Sequence, residues 1–325
     1  MRRLLFTAPL ATAAALVLAA CGTTEPAADD AKESTEAITL TDASGAEVEL
    51  DGPAEKVVGT EWNVVEHLVS LGVDPVGVAD VKGYKTWDAA VPLKNEPKDI
   101  GTRGEPSMDT IASLKPDLIV ATTDLQPNAL KQLRKIAPVL EVKSADAADP
   151  IGRMLENVDL IAEATGTTER AAMLKKDFGT TLAEGRKALA DAGLDGAEIA
   201  FADGYVASNQ VSVRPYTSGS LIGAVNERLG LKNAWKQKGD EAYGLASTDV
   251  EGLTGLGKVQ FVYIGNDDDE SSDPFANELA GNSVWKSLPF VKSGDVHRLD
   301  DGIWMFGGTG SMERYADALV ASLTK

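Results

Sequence analysis

The chain has 325 residues, with 50 acidic against 31 basic side chains, a formal net charge of −19 and a single cysteine. A body so acidic repels nucleic acid and anionic lipid head groups, and one thiol excludes any intramolecular disulfide. The length suffices for two domains.

Arg2 and Arg3 precede an apolar run from Leu4 to Val17, the pattern of an export signal over residues 1–20. Thr7, Pro9 and Thr12 interrupt that run, which is short of the ~20 apolar residues that span a bilayer. The stretch Leu18-Ala19-Ala20-Cys21-Gly22 resembles a bacterial lipobox, which implies cleavage before Cys21 and a diacylglyceryl thioether on its sulfur. The leader's two arginines are its only charges, so the mature chain carries −21. Residues 22–37 are small, polar and acidic, with nothing apolar to bury; with Cys21 they read as a solvated tether, segment 21–37. The expected location is the extracytoplasmic face of the cell membrane, held there by the lipid on Cys21.

The folded body opens with a hairpin over 38–50 that turns at Ser44-Gly45. Short β-rich runs at 57–59, 76–79, 117–121 and 139–142 then alternate with helical patterns at 62–71, 108–114 and 151–164, which predicts a parallel sheet covered by helices. A second series follows, with strands at 198–202, 211–213, 260–264 and 296–299 and helices at 218–229, 250–256, 277–288 and 311–323. Between the two, Ala171, Leu174, Phe178, Leu182 and Leu189 form one apolar stripe at helical spacing, with Thr167 as a cap at the start and Gly193 at the end. The expected architecture is α/β: two doubly wound lobes, 38–166 and 193–325, joined by a single long rigid helix over 167–192, with a ligand cleft between them. One helix offers few torsions for a hinge, so opening and closing are expected to be small.

Enzyme signatures are weak. The run Gly252-Leu253-Thr254-Gly255-Leu256-Gly257-Lys258-Val259 has P-loop spacing but ends in Val where Ser or Thr must ligate Mg²⁺, so it reads as a loop before a strand. There is no Gly-x-Ser-x-Gly elbow and no Gly-x-Gly-x-x-Gly opening a helix after a strand. Only His67 and His297 exist, in different lobes, so no metal site is expected and iron would arrive already chelated. A chelate shows apolar linkers and partly negative oxygens, which aromatic and arginine side chains recognise. Trp62 and Trp87 fall near strand ends, and Trp304 follows the loop after the last strand, where doubly wound sheets bind ligands. Trp235 and Trp285 are placed on helices and assigned to the core.

Residues 57–121, from VVGTEWNVVEHLVSLGV through IGTRGEPSMDTIASLKPDLIVA, resemble the first lobe of the ferric-hydroxamate-binding and related ferric-siderophore-binding proteins. The resemblance continues at 219–235, at 283–304 and through the final helix. It implies two α/β lobes bridged by a rigid helix, no enzymatic activity, and no cofactor beyond iron within the bound siderophore. It also implies an ABC importer permease as partner, and a monomer is expected. Under it, Arg103 of GTRGEPS donates to the iron-bound oxygens, a task suited to a planar fork of five donors that never loses its charge. Trp87, Tyr243 and Trp304 match positions that line the pocket. Asp109, in place of the more usual glutamate, and Glu251 match the acidic residues that meet permease arginines; their place near helix starts is equally explained by the helix dipole.

The chain departs from the hydroxamate pattern around Arg214 and Tyr216. There a second arginine either suits a citrate-based carboxylate chelate or is an exposed strand-end charge. Hydroxamate siderophores are the preferred ligand, ferric citrate or carboxylate siderophores the alternative, and cobalamin or haem a more distant one. A secreted hydrolase is the rival class, for which no nucleophile with a nearby base is visible.

Overall fold

The computed structural model describes residues 37–207, 210–267 and 273–325; the leader, Cys21 and the tether through residue 36 lie outside the described residues. Strands β1 (Ile38–Thr41) and β2 (Glu47–Leu50) form the expected hairpin, Ile38 opposite Leu50 and Thr41 opposite Glu47. Asp42 Oδ1 organises its turn by accepting from the Ser44 and Ala46 N–H groups, both at 2.9 Å.

The first lobe contains β3 (Val57–Gly59), α1 (Trp62–Leu71), β4 (Gly77–Val78), α2 (Val81–Trp87), β5 (Lys98–Asp99), α3 (Met108–Leu114), β6 (Leu118–Thr122), α4 (Pro127–Leu133), β7 (Val139–Val142) and α5 (Pro150–Thr165). Its sheet runs β5-β4-β3-β6-β7, all parallel. The order reverses between β3 and β6, so a crevice opens beyond their carboxyl ends. The loops there carry Glu61 and Asp124. Helix α1 begins where the Glu61 carboxylate accepts from Trp62 N–H and ends at Gly72, whose φ of 87° suits a residue without Cβ. Every residue of α1 except Ser70 is buried.

Helix α6 (Thr168–Asp191) has 24 residues, a rod of ~36 Å at about 1.5 Å per residue. Its stripe is shared between the lobes. Ala171 and Leu174 join the first-lobe core with Val57, Leu118 and Ile161, whereas Phe178, Leu182 and Leu189 join a second core with Phe201, Val262 and Tyr315. Gly193 N–H bonds to Ala190 O at 2.9 Å and Leu194 N–H to Leu189 O at 2.9 Å, which closes the C-terminus as a Schellman motif. Thr167 does not cap the start, because its hydroxyl pairs with that of Thr165 at 2.9 Å.

The second lobe contains β8 (Glu198–Ala207), β9 (Gln210–Pro215), α7 (Leu221–Arg228), β10 (Lys232–Asn233), β11 (Gln260–Ile264), α8 (Ser283–Ser287), α9 (Pro289–Ser293), β12 (Val296–Leu299) and α10 (Thr309–Leu323). Strands β10-β8-β11-β12 are parallel, and β9 folds back antiparallel on the far half of β8. The helix expected over 250–256 is only a 3-10 turn, Gly252–Gly255, because its two glycines weaken it while Leu253 and Leu256 are still buried. The one expected over 277–288 breaks into a 3-10 turn, Glu278–Gly281, and α8, separated by Asn282, which caps α8 through its side chain. Trp235 lies after β10 outside any helix, yet it is buried and donates from Nε1 to Phe201 O at 2.8 Å. Trp285 is buried on α8.

A second joint accompanies α6. The start of α10 faces the fully buried Glu66 of α1, whose Oε1 accepts from Ser311 N–H at 2.9 Å, and Ser311 Oγ lies 3.2 Å from Asp88 Oδ1. Gly308 admits this approach, since a Cβ there would stand 2.8 Å from His67 Nδ1 and 3.1 Å from Glu66 Oε1. Burial raises the Glu66 carboxyl above its usual range against the hydrogen bonds from Ser311 and Gly308. Burial, then the neighbouring Glu66, raise Asp88. Burial lowers His67 to about 4.

The two effects oppose each other with pH. Carboxyls raised in the native state stabilise it fully below their unfolded values and lose that contribution as pH rises through the native ones; the lowered His67 costs stability as pH falls below its unfolded value. Glu66→Gln mimics the protonated acid and keeps the acceptor for Ser311. Its melting temperature should fall less than that of the wild type between about pH 5 and about pH 8, while the acid-side loss due to His67 persists. Thermal unfolding across that range checks this, and parallel curves would refute it.

Candidate ligand-binding site

A cleft of about 400 Å³ is lined by Glu61, Asn63 and Arg103 from the first lobe and by Arg214, Tyr243, Leu245, Trp304 and Phe306 from the second. That volume lies within the roughly 300–1,000 Å³ of small-molecule sites. Behind Tyr243 and Phe306 lies a pocket of about 30 Å³ that also touches Asn63, His67 and Tyr216. It has room for water but not for an organic chelate.

Arg103 stands in the turn between β5 and α3, where Gly101 takes φ 95° and bridges to Pro106. Its Nη1 donates to Glu61 Oε1 at 2.8 Å, and its guanidinium carbon lies 3.9 Å from the centre of the Trp62 ring and 5.4 Å from that of Trp304. The ion pair and the two ring faces fix the guanidinium. Trp62 itself is 4% exposed and donates from Nε1 to Ala79 O at 3.2 Å, so it presents a face to Arg103 and little to solvent.

On the opposite wall Asp203 of β8 pairs across the ladder with Arg214 of β9. Arg214 Nε donates to Asp203 Oδ1 at 2.8 Å and Nη2 donates to Oδ2, a two-pronged grip. Tyr216 is buried and its hydroxyl donates to Asp203 Oδ2 at 3.0 Å, so it supports the arginine's partner from behind the cleft wall.

The loop between β12 and α10 supplies the rings that connect the walls. Trp304 meets Trp62 edge-on at 4.9 Å and Phe306 at 5.2 Å, and Phe306 meets Tyr243 at 5.5 Å. Tyr243 Oη donates to Asp124 Oδ2 at 2.6 Å, a hydrogen bond between the lobes. Burial, with the Asp124 bond adding to it, raises the Tyr243 hydroxyl well above the usual phenol value.

Of the residues selected from sequence, Arg103, Arg214, Tyr243 and Trp304 line the cleft and Trp62 stands directly behind Arg103. Trp87 does not line it; at the end of α2 it packs with Trp62, Tyr84 and Trp304 in a small apolar cluster. Tyr216 likewise faces the core. Asp109, in the first turn of α3, and Glu251, just before the 3-10 turn, are both exposed, one on each lobe. Among the described residues no three His, Cys, Asp or Glu side chains gather as a metal site. His297 Nε2 lies 2.7 Å from Gln260 Oε1.

Sequence reasoning missed Glu61 as a site residue, and also Asn63, Asp124, Asp203 and Phe306. Phe306 lies two residues beyond Trp304 in a turn that Gly307 N–H closes on Trp304 O at 2.9 Å. Asp203 left no signal in the sequence, because its role depends on the register of β8 with β9.

This architecture is that of a two-lobed binding protein with a cleft between the lobes. Residues 57–302 match the periplasmic binding protein family, and the chain belongs to it; the family is one of binding proteins, not enzymes. The chain is 31% identical to the Fe(3+)-citrate-binding protein YfmC of Bacillus subtilis, over 93% of this chain and 91% of that protein. It is 26% identical to the probable siderophore-binding lipoprotein YfiY of the same organism, over 91% of this chain and 90% of the relative. Among solved structures, the siderophore-binding protein FhuD of Vibrio cholerae with Fe3+-Desferal bound superposes with a TM-score of 0.74 at 27% identity, covering 83% of this chain and 98% of that one. No helix among the described residues is long and apolar enough to cross a membrane.

Tyr243→Phe removes the hydroxyl that joins the lobes at Asp124. A hydrogen bond to a carboxylate contributes about 1.5–3 kcal/mol, so hydrogen–deuterium exchange in the loops around Asp124 and Tyr243 should rise roughly tenfold or more. Unchanged exchange there would mean that the contact does not hold the loops.

Proposed function

We propose that the protein is the substrate-binding component of an ABC importer for iron(III)–siderophore complexes, with hydroxamate siderophores preferred. The observation that carries this reading is Arg103, held across the Trp62 face at the mouth of a cleft walled by Trp304, Phe306 and Tyr243. In a ferric siderophore the metal is already enclosed, so the protein meets iron-bound oxygens and hydrocarbon linkers. Arginine donors suit the first and aromatic faces the second. The Vibrio cholerae structure with Fe3+-Desferal bound supports the same choice.

The ferric citrate reading has its own support, in the relative named for Fe(3+)-citrate and in Arg214 at the cleft wall. In either case iron is cargo carried within the chelate, and the protein releases the ligand unaltered.

In this reading Cys21 carries a diacylglyceryl anchor after the leader is cleaved, and the acidic tether lets the body, a monomer, reach the permease on the extracytoplasmic face. Asp109 and Glu251, one on each lobe, meet basic residues of that permease. The lobes, joined by α6 and by the contact of α10 with Glu66, move little between free and loaded forms.

Ferrioxamine should quench tryptophan fluorescence saturably, because Trp304 lines the cleft and Trp62 stands directly behind Arg103. Arg103→Ala removes charge-assisted donors of about 1.5–3 kcal/mol and should weaken Kd roughly 10- to 100-fold. Saturation by ferric citrate with no response to any ferric hydroxamate would decide for the citrate reading.

A further inference from the structure

The cleft contains two arginines, yet it is not a cationic site. Glu61 engages Arg103 and Asp203 engages Arg214, so each cation is paired with a carboxylate, while a third carboxylate, Asp124, holds Tyr243. No lysine lines the cleft among the described residues. We propose that Glu61 and Asp203 are specificity-determining residues. By occupying the arginines they admit ferric chelates of zero or positive net charge and reject carboxylate-rich, anionic ones. This rests on the siderophore-binding reading and names the charge class within it.

The geometry explains why the carboxylates are not simply displaced. A ligand carboxylate is gripped best by a guanidinium edge offering two parallel donors. In Arg214 the edge made by Nε and Nη2 is already filled by Asp203. The Asp203 side chain is 12% exposed and also receives the Tyr216 hydroxyl. Pulling Arg214 away would strand a nearly buried carboxylate beside an incoming anion.

Glu61 is held comparably. Its Oε1 accepts both Arg103 Nη1 at 2.8 Å and Trp62 N–H at 2.9 Å, and it sits at the N-terminus of α1, where a negative charge is favoured. Arg103 spends one of its five donors on Glu61 and keeps others for single contacts with neutral hydroxamate oxygens. An anionic chelate would meet the same donors with an uncompensated charge beside Glu61.

The test uses the mature protein and three probes: ferrioxamine E, which is neutral, ferrioxamine B, which carries an ammonium, and ferric citrate. Both ferrioxamines should bind the wild type with similar Kd, and ferric citrate at least 100-fold more weakly. Glu61→Gln, which keeps the hydrogen-bonding acceptor and removes the charge, should shift the ratio of the ferric citrate Kd to the ferrioxamine E Kd at least tenfold in favour of citrate. Asp203→Asn should act in the same direction, and circular dichroism confirms that each variant is folded. Ferric citrate binding the wild type as tightly as ferrioxamine E, or an unchanged gap in a folded Glu61→Gln variant, overturns the inference and leaves the siderophore reading intact. No saturable binding of any ferric chelate removes that reading itself.

Discussion

The approach of α10 to the buried Glu66 determines where the rest of the site can be. Glu66 lies in the first lobe and accepts from Ser311 N–H in the second, with Asp88 beside it. The residues just before this contact are Trp304, Met305 and Phe306. Fixing the start of α10 therefore fixes the loop whose rings meet Trp62 on one side and Tyr243 on the other. Two carboxyls are costly to bury unless they are hydrogen-bonded or neutralised, and their raised protonation, together with the Ser311 bonds, offsets that cost.

This joint changes the mechanics expected of a single connecting helix. Helix α6 has its own apolar stripe divided between the two cores, so bending it would disturb packing in both lobes. With α10 locked to α1 beside it, the proposed function implies a cleft largely formed before any ligand arrives. A preformed site loses less conformational entropy on binding, which suits aromatic walls and clamped arginines that need no rearrangement. Recognition then depends on which charges are already compensated, and here those pairings are made inside the protein.

Much of the fold was legible in the sequence because its signals are local. Apolar runs marked most strands, the helical pattern over 62–71 marked α1, and the stripe from Ala171 to Leu189 marked α6. Local reading failed over 250–256, where buried Val250, Leu253 and Leu256 mimic a helix that Gly252 and Gly255 do not sustain. For the site, residue type was informative and partnership was not. Trp304 and Arg214 stood out by residue type, and Arg103 and Tyr243 through the resemblance to siderophore-binding proteins. Trp87 and Tyr216 stood out equally, yet they pack behind the wall.

What the sequence determined by itself was the alternation of strands and helices, the rod between the lobes, and a supply of arginine and aromatic side chains near strand ends. Only the tertiary structure decided which of them meet. Arg103 finds Glu61 across 42 residues, Tyr243 finds Asp124 across 119, and Arg214 finds Asp203 through the register of a β-ladder. The physical reason is the range of the forces. Backbone hydrogen bonding and apolar periodicity act within a few residues and leave a mark in the sequence, whereas the compensation of one charge by another depends on which loops and strands each lobe's topology brings side by side, and the Tyr243–Asp124 bond on how the two lobes meet.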